Sequence, residues 1–171
     1  AELLDRILGV RGHIVVEANV GTISEYDSLT NKLVSLDGVL RASPIIEGQV
    51  MVLSGGIARG ANIRGVTAKD LSNNPLITQS FIEGGMESFA KNGGLVIGSR
   101  LASIFDLQIG DKLTLVAPNL NTTPFGAVPR LKSWHIEAIF QIGMYEYDIG
   151  LIYAPLDDIQ NLFKIPNGVT S

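Results

Sequence analysis

Lys112-Leu113-Thr114-Leu115-Val116 and Trp134-His135-Ile136-Glu137-Ala138-Ile139-Phe140 alternate apolar with polar residues, as two half-buried strands do. Together they predict a long hairpin. Its tip, residues 118–133, holds three prolines and one glycine, so regular pairing cannot run through all of it, yet it also carries Leu120, Phe125 and Val128. A loop this long in a compact domain is usually functional or disordered. A stiffened apolar tip suits the gripping of another protein, because little ordering entropy is left to lose on binding. The competing reading is an irregular loop folded back on its own domain.

Downstream, Gly143-Met144-Tyr145-Glu146-Tyr147-Asp148 leads into a strand at Gly150-Leu151-Ile152-Tyr153. Pro155 then begins a helix to about Phe163, with Asp157 and Asp158 in its first turn complementing the dipole. Pro166-Asn167-Gly168 stops it, and Val169-Thr170-Ser171 looks like the entry to a further strand. Upstream, Leu95-Val96-Ile97 is a short buried strand. Arg100 to Phe105 is a helix burying Leu101, Ile104 and Phe105, and Gln108 to Asp111 is a turn. Gly55-Gly56 marks a hairpin, Thr67 caps a helical turn over Ala68 to Leu71, and residues 76–94 read only as a mobile loop with one helical turn.

At the N-terminus, Ala1 to Leu8 has the spacing of an amphipathic helix, ended by Gly9. His13 to Ala18 predicts a strand, and Ile23 to Leu36 a helix capped by Thr22 or Ser24. Val39 to Ile46 and Gly48 to Leu53 are two more strands. Strand, helix, strand makes a split α/β unit, and the whole is α+β.

Composition sets the outer limits. The 171 residues are 46% hydrophobic, enough for one core or two small subdomains. A net charge of −4 with scattered Lys and Arg leaves no surface fit for phosphates, so nucleic acid is not an expected partner. The absence of cysteine excludes thiolate metal sites, catalytic thiols and disulfides.

Motifs for chemistry are weak. His13 and His135 lie in strand patterns without a nucleophile at a recognised spacing, and the glycines at 55, 56 and 60 miss the dinucleotide-loop spacing. Glu146, Asp148, Asp157 and Asp158 lack the alternating oxygen ligands of a calcium loop and read as solvated or helix-capping carboxylates. No catalytic residue, metal site or cofactor is expected.

Leu3-Leu4-Asp5-Arg6-Ile7-Leu8-Gly9-Val10-Arg11-Gly12-His13, Gly98-Ser99-Arg100-Leu101-Ala102, Leu107-Gln108-Ile109-Gly110-Asp111 and Gly143 to Asp148 resemble the large extracytoplasmic domain of the lipoprotein-releasing ABC permeases, the LolC/LolE family. The resemblance runs the whole length; the Gly-Asp turn is shared with the wider MacB-like class. It implies a domain on the periplasmic side of the bacterial inner membrane, working with a cytoplasmic ATPase and a second permease subunit, in a homo- or heterodimer, to extract lipoproteins. It also implies a division: 1–8 the end of a stalk helix, 9–50 the first half of a membrane-proximal α/β subdomain, 51–165 an inserted β-rich subdomain, and 166–171 the return toward the proximal part.

Thr123-Pro124-Phe125-Gly126-Ala127-Val128-Pro129 resembles the hook by which LolC-type members engage the LolA chaperone. The partner-binding residues this implies are Pro124, Phe125, Gly126, Val128 and Pro129, with Arg130 and Lys132 as a basic base that steers an acidic rim. Arg130-Leu131-Lys132 departs from the family's polar-basic pattern there. Two alternatives belong to other classes: a MacB-like permease domain that binds a periplasmic efflux adaptor, and a free-standing hydrolase, for which the residues offer almost nothing.

Two further expectations concern structure. The α/β unit has one helix to cover its sheet, so apolar surface over residues 9–50 should be exposed or buried against a neighbour. The acidic-aromatic segment 143–148 should be structural, shaping a turn with its tyrosine rings packed and their hydroxyls hydrogen-bonded.

Overall fold

The computed structural model describes residues 10, 12–123 and 126–171 and, for residues 119–123 and 127, the backbone. The helix expected over residues 1–8 lies outside the described residues, as do Pro124 and Phe125 of the hook. Val10 is helical, one residue past the expected stop at Gly9.

Among the described residues the strands are β1 (Ile46–Ser54), β2 (Ile57–Val66), β3 (Phe81–Gly84), β4 (Leu95–Gly98), β5 (Lys112–Thr123), β6 (Gly126–Phe140) and β7 (Leu151–Pro155). The helices are α1 (Tyr26–Val34), α2 (Ala68–Ser72), α3 (Pro75–Thr78), α4 (Met86–Asn92), α5 (Ser99–Phe105), α6 (Tyr145–Gly150) and α7 (Leu156–Phe163). One sheet takes all seven strands in the order β3-β6-β4-β7-β2-β1-β5, and β5 also pairs with β6. Strand β6 is long enough to do both: its first part pairs with β5 and its last residues with β3 and β4. The ladder therefore closes on itself.

Sequence features account for the joints. Gly55 and Gly56 have φ of 55° and 79°, and Ser54 pairs with Ile57, so β1 and β2 meet in a two-residue turn of the kind glycine favours. The Thr67 hydroxyl accepts the Asp70 N–H at 3.1 Å, as a helix cap does. Residues 76–94 are more ordered than their composition indicates: they form α4 and also β3, which pairs with β6. Ile104, expected in the core, is 36% exposed; Leu101, Ala102 and Phe105 bury the inner face of α5.

Alternation along β4, β6 and β7 feeds two cores. Ile97, Ile139 and Ile152 face α5 and α7, whereas Val96, Phe140 and Tyr153 face α2, α3 and α4. Both sheet faces are buried here, so β4 reads as a continuous apolar run.

The N-terminal quarter departs from expectation. His13 to Ala18 and Val39 to Ile45 form no strand, and β1 begins at Ile46. Helix α1 starts only at Tyr26, its N-cap position is Glu25 without a side-chain cap bond, and it buries no residue. Ile14, Val15, Val20, Val34, Leu36 and Leu40 are all exposed, Leu40 to 98%. An apolar strand pattern needs a partner strand to become a strand, and this segment has none among the described residues. It bonds instead to residues 169–171. Val169 bridges Ile23, and Ile45 bonds both Thr170 and Ser171.

A buried cation joins Val10 to the sheet. Arg64 on β2 donates to the Val10 carbonyl at 2.6 Å and pairs through Nε with Glu47 at 2.6 Å. The neighbouring Tyr153 hydroxyl is buried and has no hydrogen-bond partner of good geometry, although Arg64 is near enough to favour its ionised form. Burial outweighs that attraction and holds the Tyr153 pKa above 10.0. The folded chain thus keeps a proton that the unfolded chain releases above that pH, so stability falls as pH rises through the window. Tyr153→Phe should be neutral or stabilising by about 1 kcal/mol at pH 7, since it removes an unpaired buried hydroxyl. Urea unfolding at pH 7 and above pH 10 checks both parts: the variant should lose less stability than wild type on the alkaline step.

Candidate functional site

The ribbon of β5 and β6 is longer and more regular than its prolines indicate. Pairing runs from Lys112 with His135 to Val116 with Leu131, then from Leu120 with Pro129 to Thr123 with Gly126. Between the two stretches, residues 117–119 of β5 stand opposite residue 130 alone, so the extra residues bulge. Pro118 falls in that bulge, where no ladder N–H is required, and the strands resume beyond it. Most of the expected irregular tip is therefore paired strand.

Strand β5 also lies against β1, pairing Thr114, Leu115 and Val116 with Leu53, Val52 and Met51. Past Val116 its ladder partner is β6 alone. Beyond that rung β5 and β6 pair only with each other, as a two-stranded arm whose first residue on β5, Ala117, is still buried in the first core.

Of the residues assigned to partner binding, Gly126 begins β6 at φ 121° and is exposed, as are Val128 and Pro129. Leu131, at the root of the arm, is 61% exposed. Alternation puts Val128, Arg130, Lys132 and Trp134 on one face of β6. The two base cations differ. Arg130 is half-buried, its Nη1 lacks a hydrogen-bond partner, and it forms no ion pair among the described residues. Lys132 places Nζ 2.6 Å from Asp158 Oδ1 and 4.8 Å from the Trp134 ring centroid. Trp134 Nε1 donates to Asp158 Oδ2 at 2.8 Å. One α7 carboxylate thus holds two β6 side chains. From sequence alone Asp158 is a solvated or helix-capping carboxylate. The contact spans 24 and 26 residues, and no local pattern encodes it.

The segment 143–148 is a helix start rather than a plain turn, since α6 begins at Tyr145. Asp148 is 2% exposed and accepts the Ile142 N–H at 2.8 Å and the Gly143 N–H at 3.0 Å. It is a structural carboxylate. Tyr147 packs on the second core, but Tyr145 is exposed, contrary to the packing expected of it, with the Arg100 guanidinium 5.0 Å from its ring centroid. Asp148→Ala removes a charged acceptor from two backbone donors, one of them buried, and should cost about 3 kcal/mol; Glu146→Ala, at an exposed position, should cost under about 0.5 kcal/mol. Thermal unfolding of the two single variants checks the contrast.

Among the described residues no group of His, Asp and Glu is placed to hold a metal ion, and His13 and His135 are exposed. A cleft of about 540 Å³ is lined by Glu47, Gln49, Asn62, Arg64, Glu146 and Tyr147. Its buried cation is engaged by Glu47 and the Val10 carbonyl. No helix among the described residues is long and apolar enough to cross a membrane.

No family model matches the chain. It is 25% identical over 169 residues to the lipoprotein-releasing system transmembrane protein LolC of Neisseria meningitidis, covering 98% of this chain and 41% of the relative. Similarity to LolC of Xylella fastidiosa is 25% over 170 residues, covering 99% and 41%. Similarity to LolE of Haemophilus influenzae is 27% over 175 residues, covering 99% and 42%. The chain therefore spans about two fifths of the length of these relatives. Among solved structures it superposes on the periplasmic region of MacB from Actinobacillus actinomycetemcomitans with a TM-score of 0.57 and 10% identity, over 95% of this chain and 66% of that one. The extracellular domain of the noncanonic ABC-type transporter YknZ from Gram-positive bacteria gives a TM-score of 0.52 and 12% identity, over 82% and 66%. The chain is LolC/LolE-like along its length, on a MacB-like α+β fold.

Proposed function

We propose that this chain is the periplasmic domain of a LolC-type lipoprotein-releasing ABC permease at the bacterial inner membrane, and that its β5–β6 arm recruits a LolA-type chaperone. The observation that supports this best is the arm itself: a paired ribbon extending beyond the rung where β5 leaves β1, with Gly126, Val128 and Pro129 exposed. A chaperone that receives an acyl chain offers apolar surface at its mouth, and a stiff apolar ribbon docks there with little loss of entropy. The domain is non-catalytic in this reading. ATP hydrolysis belongs to a separate cytoplasmic subunit, a second permease chain, identical or related, completes the transporter, and the lipoprotein is its substrate.

Within the arm, Pro124, Phe125, Gly126, Val128 and Pro129 form the inserted part. Arg130, which forms no ion pair among the described residues, contributes the steering charge, whereas Asp158 offsets the charge of Lys132. The MacB-like fold favours a second reading, in which the domain couples ATP hydrolysis to efflux by binding a periplasmic adaptor.

Calorimetry of the chain with its cognate chaperone tests the proposal. Replacing residues 120–129 by a two-residue Asn-Gly turn, or Phe125→Asp, should cost at least about 2 kcal/mol of binding, as loss of a buried anchor does. A folded variant with the shortened arm and unchanged affinity would reject the hook and leave the adaptor reading.

A further inference from the structure

We infer that Asp158 is a positioning residue that fixes the direction of the arm, and that partner capture depends on it although it lies on α7, away from the tip. Beyond Val116 and Leu131 each rung of the ribbon has only its opposite strand, so the arm's bearing is set at its root. An isolated two-stranded ribbon is marginal by itself, so the stiffness of the arm depends on how its root is held. Lys132 stands opposite Leu115, on one of the last rungs where β5 is still held by β1. There the Asp158 carboxylate takes Lys132 through one oxygen and Trp134 through the other, at 2.6 and 2.8 Å.

Three features make this a clamp rather than a passing surface pair. Trp134 is 6% exposed and belongs to the first core, so the indole cannot follow the arm outward. The Lys132 ammonium lies over the indole ring, which limits where Lys132 can go. Asp158 sits in the first turn of α7, and Leu156, Ile159, Leu162 and Phe163 seat that helix in the same core. A rigid helix thus holds the strand at the point where the ribbon departs. The ion pair is half-exposed and contributes little to global stability. Its effect is on the ensemble of arm directions, which is what preorganised binding draws on.

The inference rests on the arm being the partner-binding element, and the test separates the two. Asp158→Ala removes both contacts; Asp158→Asn keeps an acceptor for Trp134 and loses the charge on Lys132. Trp134 is the only tryptophan of the chain, so its fluorescence reports this site alone. In Asp158→Ala we expect shifted emission and hydrogen exchange in residues 126–133 at least about tenfold faster, with β4 unchanged. Chaperone affinity should be about tenfold weaker, while Asp158→Asn falls between. Arm exchange and emission equal to wild type would overturn the inference. So would a loosened arm that binds as tightly as before. If the intact chain fails to bind the chaperone at all, the recruitment reading fails, and the exchange and emission data alone decide whether Asp158 sets the arm.

Discussion

Gly98→Ala should destabilise the fold by about 3 kcal/mol or more, at the upper end of what overpacking costs. Backbone conformation is not the cause: Gly98 has φ −71° and ψ 149°, which any residue adopts. Space is. A Cβ placed there would overlap the Asp148 carbonyl oxygen and lie 2.6 Å from its carbon and 2.7 Å from its Cα. The far end of a flexible side chain can swing away, but Asp148 is tied down by the two hydrogen bonds that its carboxylate accepts from the Ile142 and Gly143 N–H groups. Strand β4 is equally fixed, since it is buried along its length between β6 and β7. Gly60→Ala on β2 is the control, because nothing lies within 4 Å of its Cβ position, and it should change stability by less than about 1 kcal/mol. Urea unfolding of both variants gives the comparison. Equal midpoints would show that α6 can move away from β4.

The same residues show what the sequence could and could not reveal. Leu95 to Ile97, the Gly55-Gly56 turn, the Thr67 cap and the two arms of the long hairpin were legible because each is a local code: an apolar run, a turn dipeptide, a cap, an alternation. Strand β3 was not. Its four residues end in Gly84, and it becomes a strand by pairing with β6, more than fifty residues away. The strand expected at residues 13–18, and that expected at 39–46 as far as Ile45, fail for the converse reason: among the described residues no neighbour offers them a ladder. Of the candidate site, the cations and apolar residues of the arm could be listed from their order. That Asp158 engages Lys132 and not Arg130 follows only from the packing of α7 against β6.

Phe140→Ala should cost about 3 to 5 kcal/mol, the range for truncating a buried aromatic, and should leave the chaperone binding proposed for the arm unaltered. Phe140 is fully buried and packs edge-on to Tyr153, with ring centroids 6.1 Å apart and planes at 65°. It stands opposite Phe81 of β3 and Gly98 of β4, so its loss opens a cavity where three strands and the second core converge. The site collapses poorly, because strands on both sides hold the backbone and shrinkage must come from side chains alone. The arm lies at the other end of the same strand, past Trp134, which belongs to the first core and donates to Asp158. The two ends of β6 are thus stabilised by different sets of residues, and energetic effects at such separated sites add rather than couple. Calorimetry at a temperature where the variant remains folded should give chaperone affinity within about twofold of wild type, while its thermal midpoint falls sharply. A parallel loss of affinity in the folded variant would mean that β6 transmits strain along its length, and the arm could no longer be treated as set at its root.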